Sequence, residues 1–220
     1  LQMSVPEIKY VLKRYSNFPK LQAFPFLLNT LSLMLPVIIV NVLYNQETTG
    51  FFDLTRQVLA LPLALISTSV SQVILQNVAE KRNTTPVSPH IFNVFIVLLL
   101  LSIPGIIIIL LWGKGLFSLF GEEYVYSGTI AQILVFSYAI KFIVSPLSSV
   151  LTALERLRIL AIWRTLFFLA IMSLFLLDNM KIMTFFKIYM AVEVFFYTIY
   201  AVIIFRASKI HDISLYTNNA

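Results

Sequence analysis

Cysteine is absent from the 220 residues, and histidine occurs only at His90 and His211. The first absence excludes disulfides, thiolate metal sites and cysteine nucleophiles, and leaves the redox compartment open. Two isolated histidines, with no HExxH, no Gly-rich phosphate loop and no paired-aspartate motif, leave no metal, cofactor or catalytic constellation to expect. The adjacent His211 and Asp212 read as solvated residues of a polar tail. On this evidence the chain does not read as an enzyme. Charge is also scarce, at 12% of residues, against about 25% in a soluble domain.

Apolar residues take the place of charge. They make up 59% of the chain, and the mean hydropathy is +0.89. Runs long enough to cross a hydrocarbon core, about 20 helical residues each, recur with short polar connections between them. The fold class expected is all-α, a polytopic membrane bundle of six transmembrane helices over 21–205, surrounded by membrane lipid. The spans are Leu21–Tyr44, Phe51–Ala79, His90–Trp112, Tyr124–Leu154, Ile159–Leu177 and Ile182–Phe205. The turn signals between them are NQETTG, KRNTTPVSP, GKGLFSLFGEE, ERLR and DNMK. Residues 1–20 place Val5, Ile8, Leu12 and Tyr15 on one helical face and Lys9, Lys13 and Arg14 mostly on the other, as an amphipathic linker on a membrane surface does. Residues 206–220 read as a tail.

The net charge of +6 does not point to nucleic acid, because the charges sit between apolar runs and not on one face of a soluble module. It orients the chain instead. Lys9, Lys13, Arg14, Lys20, Lys81, Arg82, Arg156, Arg158, Arg206 and Lys209 fall on one side, and only Lys114 and Lys181 on the other. Cytoplasmic loops retain Lys and Arg, so both termini are expected in the cytoplasm.

The remaining basic residues, Arg56, Lys141, Arg164 and Lys187, lie within helices, as do the acids Asp53 and Glu193. An ionisable group at mid-bilayer costs at least about 2.5–3.5 kcal/mol and normally faces protein or a wet cavity. Lys187 lies near the outer end of its helix and is expected to snorkel, and Arg164 lies similarly near the inner end of its own, where it either snorkels or serves function. On the second helix Asp53, Arg56, Gln57, Ala60, Ala64, Ser67, Thr68 and Ser71 share one stripe, with Asp53 and Arg56 at its outer end. That stripe suits either close helix packing or an aqueous cavity. On the fourth, Ser137, Lys141, Ser145, Ser148 and Thr152 share a face that Glu155 closes. Glu193 on the sixth has Tyr197 and Tyr200 on its side, and it either neutralises Lys141 or works with it. Pro25, Pro36, Pro62, Pro104 and Pro146 are expected to kink helices and free carbonyls.

The stretches YSNFPKLQAFPFLLNTLSLMLPVIIV (15–40), GFFDLTRQVLALPLALISTSVSQVILQ (50–76) and LFGEEYVYSGTIAQILVFSYAIKFIVSPLSSVLTALER (119–156) resemble bacterial polysaccharide flippases. These are the O-antigen and capsule repeat-unit exporters of the multidrug/oligosaccharidyl-lipid/polysaccharide superfamily. Such flippases have two six-helix lobes around a central cavity, and the chain resembles the C-terminal lobe. The start at Leu1 and the linker-like lead-in imply that an N-terminal lobe of the same parent chain is missing.

The resemblance implies a bacterial cytoplasmic (inner) membrane protein that moves an undecaprenyl-pyrophosphate-linked oligosaccharide for surface polysaccharide synthesis. The implied substrate-binding residues are Lys141, Arg56, Arg164, Ser145, Ser148 and Gln57. Glu193 and Asp53 are the coupling-ion candidates. Three rivals stand beside this reading: an ion-coupled drug antiporter of the same fold, a polytopic membrane enzyme, which would need a cluster of reactive side chains at one boundary, and a structural membrane subunit that transports nothing. A cation extruder would favour acids in its cavity, whereas four intramembrane bases against two acids favour an anionic lipid.

Overall fold

A computed structural model describes residues 17–218, with side chains described from 25 to 217. The amphipathic lead-in therefore lies, except for its last turn, outside the described residues. Seven α-helices follow: α1 (Asn17–Leu43), α2 (Gln46–Lys81), α3 (Ser88–Ser118), α4 (Val125–Leu147), α5 (Ser149–Ala153), α6 (Leu157–Met172) and α7 (Ile182–Asn218). Short 3-10 turns occupy Glu122–Tyr124 and Ser173–Leu176. With α5 continuing α4, the helices form six segments long and apolar enough to cross a membrane. The chain is an all-α, multi-pass membrane protein. Helices suit this environment because they satisfy their backbone groups internally where no water can.

The central element is α4, which packs against α2, α3 and α7, while α1 lies chiefly along α6. Lipid tails are as apolar as leucine, so close packing and polar contacts have to hold these helices together, and small residues let backbones approach. Gly113 and Gly128 make such a crossing. A Cβ at Gly128 would stand 2.6 Å from Lys114 Cα and 2.7 Å from the Gly113 carbonyl oxygen. Beside it, Gln132 Nε2 donates to the Leu110 carbonyl of α3 at 2.9 Å.

That crossing corrects one boundary. The glycines of GKG read as a turn, yet α3 runs through them to Ser118; Gly113 packs against Gly128 and Gln132 of α4, while Gly115 faces open space. The true turn is at Gly121, whose φ of +138° suits glycine. The second span likewise begins earlier than expected. Asn45 caps α2 by accepting from the Thr48 backbone N–H at 2.7 Å, so QETTG is the first turn of a helix.

The fourth span is broken. Pro146 has no N–H to donate, and α4 ends one residue later. Ser148 Oγ donates to the Ser145 carbonyl and Ser149 Oγ to the Pro146 carbonyl, each at 2.7 Å, so acceptors near the break find partners. At the other extreme, α7 does not stop at Phe205 but continues through the segment read as a tail. Asp212 is buried there, and accepts from the backbone N–H groups of Val87 (2.6 Å) and Ser88 (2.9 Å) and from the Ser88 hydroxyl. His211 Nε2 lies 2.7 Å from the Arg82 carbonyl oxygen. Neither residue is simply solvated; both fasten α7 to the α2–α3 connection.

Candidate functional site

Four helices bring the ionisable side chains of the bundle together. Lys141 on α4 and Glu193 on α7 form an ion pair through Nζ and Oε1, with 5% and 2% of the two residues exposed. Tyr138, one turn before Lys141, sets its ring 4.6 Å from the ammonium. Tyr189 and Tyr197, one turn to either side of Glu193, add rings at 5.9 and 6.0 Å. The desolvation penalty of a buried ion is several kcal/mol even after relaxation. Here the carboxylate and the ring faces replace the hydration shell of the lysine. Glu193 is less completely served: its Oε2 is buried with no hydrogen-bond partner.

One arginine approaches this pair directly, and a second borders its tyrosines. Arg56 on α2 lies 3.7 Å from Asp53 and 5.7 Å over the Phe52 ring, close enough to Tyr138 and Lys141 to act on both electrostatically. Because α2 begins at Gln46, Arg56 sits about 15 Å along the helix at 1.5 Å per residue, further in than the expected start at Phe51 implied. Arg164 on α6 is half-buried beside Tyr197 and Tyr200, and among the described residues no carboxylate lies within salt-bridge distance of it. Trp163 packs next to it, stacked on Tyr200 at 3.8 Å and on Phe167 at 5.2 Å, with Nε1 donating to the Phe196 carbonyl. That aromatic stack fixes the helix face from which Arg164 projects.

The serines of α4 have a packing role here. Ser145 and Ser148 are half-buried and face Tyr197 and Tyr200 across the α4–α7 contact, and Ser137 is fully buried, donating to the Leu134 carbonyl. On α2 the small and polar stripe divides. Gln57, Ala64 and Thr68 are exposed, Asp53, Arg56 and Ala60 are half-buried, and Ser67 is buried. Gln57 Nε2 donates to Asp53 Oδ2 at 2.9 Å. The polar side chain that joins α2 to α4 is Thr55, off that stripe, which donates to the Ser127 carbonyl at 3.0 Å. Lys187 is exposed near the start of α7, where a snorkelling lysine belongs.

No protein-family model, no curated protein and no solved structure matches this chain. Its chemistry is therefore read from the geometry alone. Lys141, Glu193 and Arg56 come together, Arg164, Ser145 and Ser148 lie beside Tyr197 and Tyr200 on the next turns of α7, and Asp53 and Gln57 flank Arg56. Sequence reasoning missed Tyr138 and Tyr189, although a signal existed: each lies one helical turn from a mid-membrane charge, where its ring is forced against that charge.

Proposed function

We propose that the chain is a six-helix lobe of a transporter that binds the anionic headgroup of an undecaprenyl-pyrophosphate-linked oligosaccharide and helps carry it across the bacterial cytoplasmic membrane. On the charge count of the loops, both termini lie in the cytoplasm. The observation that carries this reading is Arg164, a cation on a spanning helix with no carboxylate partner among the described residues, set beside Tyr197 and Tyr200, the first of which also borders Lys141. A cluster with one cation in excess favours an anion over a cationic drug. A guanidinium offers a planar fork of donors that suits phosphate oxygens.

In this scheme Arg164 makes the first contact with pyrophosphate. Lys141 joins only when Glu193 releases it. Glu193 is the coupling candidate in this scheme, because the release of Lys141 leaves its buried carboxylate in need of another cation. Asp53 is the weaker coupling candidate, because Gln57 and Arg56 already occupy its oxygens.

The test uses cells in which this chain is expressed as part of its native export system. Arg164→Gln should lower surface polysaccharide by about ten-fold or more, the cost of one charge-assisted contact, at an unchanged membrane level of the protein. Arg164→Lys should keep part of the activity. Parental export in Arg164→Gln and in Arg56→Gln would overturn the proposal.

A further inference from the structure

A second feature lies between α2 and α3, at the end of the bundle that carries their connecting loop. An apolar cleft of about 380 Å³ is lined by Val70, Val73 and Ile74 of α2 and by Val94, Val97 and Leu98 of α3, with Asn93 and His90 at one end. A smaller pocket of about 190 Å³ lies beyond it, where the polar side chains of Asn77, Lys81, Thr85 and His90 join Val78, Pro86 and Val87. His90 borders both, and α2 lines the cleft with residues 69–74 and the pocket with 77–81, so the two lie one after the other on a path along that helix. From Ser69 to Lys81 that path covers about 18 Å of helix at 1.5 Å per residue, close to the thickness of one leaflet, half of a core of about 30 Å.

We propose that this cleft binds an anionic phospholipid, with one acyl chain between α2 and α3 and the phosphate headgroup against Lys81 and His90. Charge selects the occupant. Lys81 is exposed, with no carboxylate within salt-bridge distance among the described residues. The neighbouring acids do not line the cleft or the pocket: Glu80 Oε1 turns to Gln76 Nε2 at 3.0 Å, and Asp212 is held by Val87 and Ser88. No carboxylate lines the smaller pocket to receive the ammonium of a zwitterionic headgroup. Asn77 and His90 supply further donors for phosphate oxygens. The site is separate from the Lys141 cluster and does not depend on the transport proposal.

The absence of native cysteine permits a clean test. The full chain carrying Asn93→Cys is labelled with a fluorophore and reconstituted in phosphatidylcholine bilayers. Quenching is then titrated with phosphatidylglycerol or phosphatidylcholine bearing a nitroxide on the acyl chain. The label should be quenched with a preference of about five-fold for phosphatidylglycerol, the effect of one cationic contact near the surface. A label at Leu100→Cys, exposed on α3 and outside the cleft, should show no preference. Lys81→Gln with His90→Gln should bring the two lipids level at position 93, and so should high salt, which screens an exposed contact without any substitution. Equal quenching by both lipids in the parent, or a preference that survives both the substitutions and the salt, would overturn the proposal.

Discussion

Lys141 and Glu193, one on α4 and one on α7, neutralise each other in the interior of the bundle. Removing one member of such a pair leaves a buried charge uncompensated, which costs about 3–5 kcal/mol, whereas replacing both is far milder. Lys141→Ala should therefore lower the thermal midpoint of the detergent-solubilised protein markedly. Lys141→Ala combined with Glu193→Ala should recover most of the loss. A double variant less stable than either single variant would show that the two side chains are not each other's main partner.

The loop charges make a second expectation concrete. Reporter enzymes fused after Glu122 or Asn179 should be active outside the cell, and those fused after Asn83 or Arg156 active in the cytoplasm. The sign rests on the excess of Lys and Arg at the second set of connections. The reverse pattern would refute the orientation.

The six spans were legible because each is a long apolar run, and length against bilayer thickness decides such a case almost alone. Lys141 and Glu193 were legible as a pair because mid-membrane charge demands a partner. Other features were hidden for identifiable reasons. Glycine at Gly113 and Gly128 carries the same letter whether it turns the chain or lets two helices touch, and only the approach of another helix separates the two. Asp212 looked solvated because its partners, the amides of Val87 and Ser88, lie more than a hundred residues away in sequence and carry no side-chain signature. The serines of α4 were read as cavity lining or packing, and periodicity alone does not say which tyrosines they face.

Asp212 leads to a third prediction. Its carboxylate receives the first amides of α3, which have no acceptor within their own helix. Asp212→Ala should cost about 1–2 kcal/mol, in the range of a lost helix cap. The loss should be local. Hydrogen exchange at Val87 and Ser88 should accelerate, while amides around Lys141 keep their protection. Asp212→Asn should fall between, because one carboxamide oxygen still accepts. Unchanged exchange at Val87 and Ser88 in Asp212→Ala would mean that water replaces the carboxylate without loss.

Two glycines on the same pair of helices give the sharpest test of the packing argument. At Gly128 an added methyl would meet the backbone of α3 at Lys114 and Gly113, within 2.6–2.8 Å, and backbone cannot rotate aside as a side chain does. At Gly105, on α3 itself, an added Cβ finds no atom within 4 Å. Both sites are helical, so alanine gains roughly the same intrinsic propensity at each, up to about 1 kcal/mol over glycine. Only contact with the neighbouring helix distinguishes them. Gly105→Ala should therefore be neutral or slightly stabilising in thermal unfolding. Gly128→Ala should destabilise by about 1–3 kcal/mol, the usual cost of overpacking, and Gly128→Val by more. Equal stability of Gly105→Ala and Gly128→Ala would show that α3 and α4 do not cross at Gly113 and Gly128.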